Sequence, residues 1–174
     1  MKIYKKLIGL MLLISMLFTL CSCADSKEKQ VIKKFITQYY TIEDYTSIDL
    51  DNVRRGYPDD KYTQSFKDMM TPKLFKYFIL DMRHESYMNY AVVKGLNIKV
   101  KNIKIDKYTE NTEGTVVYNY EGTLEINKVS RNEIKEEDIN GQITVIKSDD
   151  DKFLIYQFNK MNTDTIVDII RSIN

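Results

Sequence analysis

The chain has 174 residues with 26 Lys or Arg, 25 Asp or Glu and one His, a near-neutral balance that leaves no broad basic field and excludes nucleic acid as a general partner. Both of its cysteines fall within the first 23 positions, so the chain beyond them has no disulfide, no thiolate metal ligand and no thiol nucleophile. Past residue 22 enough chain remains for one domain, since about 150 residues bury close to 70% of their unfolded surface.

The first element is an address. Lys2, Lys5 and Lys6 lead into an uncharged apolar run from Leu7 to Leu20, followed by Cys21-Ser22-Cys23. A run of this length is shorter than the roughly 20 apolar residues that cross a hydrocarbon core, and its layout is that of a secretory signal. It resembles the signal peptide of bacterial lipoproteins, in which a small residue precedes a cysteine that receives a diacylglyceryl group and becomes the mature N-terminus. Cys23 fits as the acceptor, because Cys21 would place the bulky Leu20 at the cut. The resemblance implies a signal peptide over 1–22, a lipidated tether over 23–27 and a single domain over 28–174. It also implies attachment to the membrane, on its extracytoplasmic face, through acyl chains on Cys23. Residues 1–22 carry three lysines and no acid, so the 26 basic and 25 acidic residues become 23 and 25.

Next, Val31, Ile32, Phe35, Ile36 and Tyr39 recur at three- and four-residue spacing from about Glu28 to Thr41, an amphipathic helix that Asp25 or Ser26 can cap. Residues 42–61 lack a period and end in Gly56-Tyr57-Pro58-Asp59-Asp60, which predicts a loop with a short helix. Tyr62–Met70 and Pro72 to about Asn89 read as helices, with Thr71 capping and Pro72 at the first helical position.

After Gly95 the period changes from 3.6 to 2. Ile98 and Val100 share one parity while Ile103 and Ile105 share the other, so a bulge near Lys101-Asn102 is needed to keep one apolar face. Val116, Tyr118, Tyr120, Leu124 and Ile126 then alternate along a long half-buried strand in which Gly122 marks a bend. The charged stretch Asn127–Asn140 reads as a solvated connection. Ile139–Lys147 and Lys152–Asn159 form a hairpin around Ser148-Asp149-Asp150-Asp151, and the second arm, apolar on both faces, suits a central covered strand. A short helix carrying Ile166, Val167, Ile169, Ile170 and Ile173 closes the chain.

Helices first, then long bent antiparallel strands, define an α+β class: N-terminal helices on a curved antiparallel sheet of about four strands, with a short C-terminal helix. This order resembles the nuclear transport factor 2-like, or cystatin-like, fold, a cone whose sheet and helices enclose a pocket. The resemblance rests on element order over 28–159, the bulge near Lys101 and the bend at Gly122; the terminal helix departs from the simplest version. Proteins of that fold include dehydratases and isomerases, non-catalytic relatives and subunits resembling extracytoplasmic parts of conjugation channels.

Candidate sites are few. His84, the only histidine, lies one helical turn from Asp81 and next to Glu85, a spacing that allows a proton-moving dyad; the plain alternative is a surface histidine near a helix end. Asp149-Asp150-Asp151 lacks the spaced oxygens and distal acid of a calcium loop and needs only the turn preference of Asp. Arg54-Arg55 offers an anion or headgroup contact. Tyr118, Tyr120 and Tyr156 fall where a cone would have its lining, while Tyr39, Tyr40, Tyr45, Tyr57 and Tyr62 gather near the first helices. With no phosphate loop, zinc motif or serine elbow, neither metal nor cofactor is expected. The residues therefore favour a binding or assembly module in the cell envelope, engaging a protein partner or a small apolar ligand. A small enzyme using His84 with Asp81 is one alternative, and a lipoprotein giving its producer immunity is another.

Overall fold

Apolar spacing on the first helix decides how the domain closes. The computed structural model describes residues 25–49, 60–85, 87–160 and 163–173, with side chains except at 60–63, 81–85, 87–88 and 163–165. Helix α1, Lys27–Tyr40, buries Ile32, Phe35, Ile36, Tyr39 and Tyr40, one face of a 3.6-residue repeat. Ser26 caps it by accepting the Lys29 N–H at 3.4 Å. At its other end Thr41 turns extended, and Ile42 exchanges two 2.8 Å backbone hydrogen bonds with Ile98. A single 3₁₀ turn, Tyr45–Ser47, comes next, capped by Asp44, whose carboxylate accepts from the Thr46 N–H and hydroxyl and is held below the usual carboxylate range by those bonds.

Helices α2, Asp60–Lys67, and α3, Pro72–Glu85, are separated where Thr71 accepts the Leu74 N–H at 3.3 Å and Pro72 opens the second helix. Helix α4, Tyr87–Val93, ends at Gly95, whose φ of 71° is the left-handed conformation that lets the chain leave a helix at a glycine. The turn signal at Gly56-Tyr57-Pro58 lies outside the described residues.

Four strands then form an antiparallel meander in the order β1-β2-β3-β4: β1 Leu96–Glu110, β2 Thr115–Lys128, β3 Glu133–Lys147 and β4 Phe153–Lys160. The pairing of β1 with β2 shifts between Lys101 and Lys104, where Asn102 takes a φ of 54°, so the bulge stands where the parity change required it. Gly122 faces that bulge, and a Cβ there would stand 3.4 Å from the Lys101 carbonyl oxygen. The sheet curls so that both outer strands, β1 and β4, touch α1. Helix α5, Thr163–Ser172, lies on α4 and buries Ile166 and Ile170. The protein is thus α+β, helices on a curved four-stranded sheet with a short helix at the end.

Two expectations are corrected. Asn127–Asn140 is not a solvated connection: β2 runs to Lys128, a 3₁₀ turn spans Val129–Arg131, and β3 begins at Glu133 in register with Lys128. Most of its charged side chains are exposed while its backbone is paired, which is why no apolar period announces it. Strand β4 is an outer strand, not a central one. Its free edge is taken by the segment before α3, since Ile155 N–H donates to the Met69 carbonyl at 2.8 Å and Thr71 N–H to the Ile155 carbonyl at 2.9 Å. On its second face Leu154 lies opposite Ile146, and both are half-buried.

Candidate functional site

The hollow of the curved sheet is where a cone-shaped fold would hold a ligand, and here aromatic rings occupy it. Phe35 of α1 meets Phe158 of β4 edge-on at 4.9 Å between centroids and Phe66 of α2 at 5.7 Å. Tyr39 stands 5.0 Å from Phe158, and Phe66 4.8 Å from Phe78 of α3. Phe35, Tyr40, Phe66 and Tyr120 have at most 1% of their surface exposed. Polar tips are matched inside: the Tyr40 and Tyr120 hydroxyls lie 3.3 Å apart, and Lys160 Nζ donates to the Tyr39 hydroxyl at 3.0 Å. Among the described residues, open grooves of about 710 and 530 Å³ border α1. One runs past Lys33, Thr37 and Glu43, the other between Lys27 and the Asp151–Phe153 turn.

Burial pushes the Tyr120 phenol far above its ordinary range, with the neighbouring Tyr40 and Tyr39 oxygens adding to it. In the unfolded chain the same phenol ionises near pH 10, so above that pH the unfolded state binds fewer protons and stability falls, by up to about 1.4 kcal/mol per pH unit; below pH 10 nothing is lost. Tyr120→Phe is expected to start about 1 kcal/mol less stable at neutral pH and to lose less on the alkaline side. Urea midpoints from about pH 8 to 11 check this, and an unaltered alkaline slope contradicts it.

Tyr118 is buried at the start of α1, its phenol raised first by burial and then by Glu28. Tyr156 is the extra residue of a bulge where β4 pairs with β3, and 44% of its surface is exposed. His84, Asp81 and Glu85 fall on α3, but their side chains lie outside the described set, as does that of Tyr62; Cys23, Arg54, Arg55 and Tyr57 lie outside the described residues altogether. In the acidic turn, Asp150 pairs with Lys152 at 2.6 Å and Asp151 with Lys147, and each carboxyl is held below its usual range first by that lysine hydrogen bond. Among the described residues no three His, Cys, Asp or Glu side chains converge on a common point. No helix among them is long and apolar enough to cross a membrane.

No family model and no curated protein matches the chain. Solved structures do. CagV, a VirB8 homologue of the T4SS of Helicobacter pylori strain 26695, superposes with a TM-score of 0.51 at 8% identity, over 76% of this chain and 98% of its own. TraH from the Gram-positive conjugative plasmid pIP501 gives 0.49 at 16% identity, over 80% of this chain and 95% of its own. An Ntf2-like protein involved in plasmid conjugation gives 0.47 at 11% identity, over 78% of this chain but 49% of its own. At these identities the likeness concerns the fold alone, and the superposition on CagV carries it. What the likeness to CagV shows is a shared arrangement, N-terminal helices on a curved antiparallel sheet.

One further feature leaves no mark in the residue pattern. Strand β4 stops opposite Gly141, so β3 extends past it, from Asn140 back to Glu133, with β2 on one side and no described strand on the other. An apolar period could not reveal this, because Glu133, Ile134, Lys135 and Glu136 are all exposed.

Proposed function

We propose that the protein is a lipoprotein held at the extracytoplasmic face of the membrane through Cys23, with 28–174 as a single domain that works by binding another envelope protein and without catalysis. The observation that carries this reading is the aromatic cluster inside the sheet: Phe35, Tyr39, Tyr40, Phe66, Phe78, Tyr120 and Phe158 pack on one another where a cone-shaped fold would hold a ligand. The shared fold with a VirB8 homologue of a secretion system supports the setting. Fold alone does not select function, so the weight rests on the interior.

Anchoring also orients the domain. Residues 23–27 are a short tether, and the first turn of α1 lies beside both hairpin turns at one end of the sheet, Glu28 near Lys107 and Tyr118, and Lys27 near Asp151. At that end Glu110, Asp150 and Asp151 are paired with Lys107, Lys152 and Lys147. The β2–β3 turn is at the opposite end, about 40 Å away along β2 at 3.3 Å per residue. It faces outward, toward whatever the protein meets. Two acyl chains on Cys23 would hold the chain stably, each buried CH₂ contributing about 0.8 kcal/mol.

Cys23→Ser tests the anchor. The variant is expected to lack the mass of the lipid and, where its signal is removed, to leave the membrane fraction, whereas the wild-type partitions with membranes at a mass raised by its lipid; equal partitioning and equal mass would reject the reading.

A further inference from the structure

A sheet recruits another chain where its backbone edge is open, straight and long enough to template a ladder, and the three edges of this sheet differ in that respect. On the outer side of β1, Ile42 bridges Ile98, and the strand beyond is broken by register shifts at Lys101–Lys104 and Lys107–Thr109. On β4, Met69 and Thr71 occupy the edge at Ile155, and a bulge at Tyr156 interrupts it. The remaining edge is the step on β3. From Glu133 to Glu137 it pairs with Lys128 to Leu124 of β2 without a shift, and among the described residues no backbone group bonds to its other side.

We propose that the edge of β3 at Glu133–Glu137 accepts an extended basic segment of a partner protein as a fifth strand. The inference rests on the reading of the domain as a binding module, and it names the site and the chemistry of what binds.

Charge chooses the occupant. The five residues hold Glu133, Glu136 and Glu137 against Lys135; Lys135 is paired with Glu137 at 2.9 Å, and Glu136 lies 3.6 Å from Lys101 Nζ, which it shares with Glu125, so the acids still outnumber the bases. A second copy of this chain pairing antiparallel on the same edge in the register centred on Lys135 would set Lys135 against itself and Glu133 against Glu137; one residue along, Glu133 meets Asp138 while Lys135 meets Glu136. Like charges directly opposite oppose pairing, so the first register is repulsive and the second gains nothing net, whereas a strand bearing Lys or Arg is attracted. Alternation fixes the pattern. Ile134, 58% exposed, and Glu136 share one face, so the incoming strand needs an apolar side chain opposite Ile134 and a basic one two residues away opposite Glu136. On the other face, basic side chains meet Glu133 and Glu137. The step lies at the end of the sheet farthest from the tether, beside the exposed Val129, where a neighbouring envelope protein has access.

The test uses the full-length lipidated protein in detergent and a labelled eight-residue peptide, Thr-Lys-Val-Thr-Lys-Lys-Val-Thr, whose central Lys-Val-Thr-Lys-Lys can face residues 133–137 in order, with a control of equal charge in which the first Val and the Thr after it are Pro. The matched peptide is expected to bind and to slow amide exchange within 133–137, while the proline peptide, unable to extend a ladder, does not. Glu133→Lys with Glu136→Lys and Glu137→Lys is expected to weaken binding about tenfold or more, from three cross-strand pairs turned repulsive. Should that triple fail to fold, the corresponding Gln triple loses the same attraction without repulsion. Equal binding of both peptides, or protection elsewhere than 133–137, overturns the proposal. A partner captured from membranes equally well by wild-type and charge-reversed protein would overturn the edge while leaving the binding-module reading in place.

Discussion

Gly141→Ala is expected to destabilise the protein by about 3 kcal/mol or more, the upper part of the range for a group forced into a full core. Gly141 sits on β3 between Tyr120 of β2 and Lys160 of β4. A Cβ there would stand 2.4 Å from the Asn159 carbonyl oxygen and 2.6 Å from the Tyr120 hydroxyl. Neither neighbour yields easily. The carbonyl belongs to the adjoining strand, and the Tyr120 ring is buried with its hydroxyl against that of Tyr40. The side chain of Tyr120 thus covers the place where residue 141 has none. Thermal unfolding of the full-length protein should show a melting temperature lower by about 6–12 °C. A loss under 1 °C would mean that the strands at Gly141 stand farther apart than these distances. Adding Tyr120→Ala should not recover the loss, because the clash with Asn159 remains and the lost ring leaves a cavity of its own.

The second large effect is Phe35→Ala, expected to cost about 3–5 kcal/mol. Phe35 is wholly buried and joins three elements: Tyr39 on its own helix, Phe66 on α2 and Phe158 on β4. Removing the ring leaves a cavity lined by aromatic groups held by different parts of the chain, which cannot collapse onto it without moving the sheet. Phe35→Leu, keeping most of the volume, should cost about 1.5 kcal/mol or less. Urea titrations of both variants check the order, and equal midpoints would show that the ring is not buried as placed.

Much of this fold is legible in the sequence because its signals are local. The spacing of Ile32, Phe35, Ile36 and Tyr39 gives α1 and its buried face, Ser26 gives its start, and the parity change between Val100 and Ile103 gives the bulge that curves the sheet. What escaped was relational. The segment Glu133–Asp138 carries one apolar residue, exposed at that, and becomes strand only because the backbone of β2 is there to pair with it. Likewise β4, apolar on both faces, reads as central. In the fold its outer edge is closed by Met69 and Thr71, a contact across some 85 residues that no short pattern records. Parity also groups Tyr156 with its aromatic neighbours along β4, but the bulge at that residue resets the alternation.

For the candidate site the same limit holds. Composition shows many tyrosines; it takes the curvature of the sheet to bring Tyr40 and Tyr120 hydroxyl to hydroxyl across 80 residues of chain. The aromatic cluster and the open step on β3 both come from how long strands coil and where the shortest of them stops.

Capture of partners from the native membranes is the most direct measurement of a domain that works by contact. Lipidated wild-type protein, cross-linked in place and recovered under denaturing conditions, is predicted to bring down a defined envelope protein absent from an unrelated lipoprotein control. Recovery of no protein above that control, together with a small molecule retained at one per chain within the sheet, would contradict it.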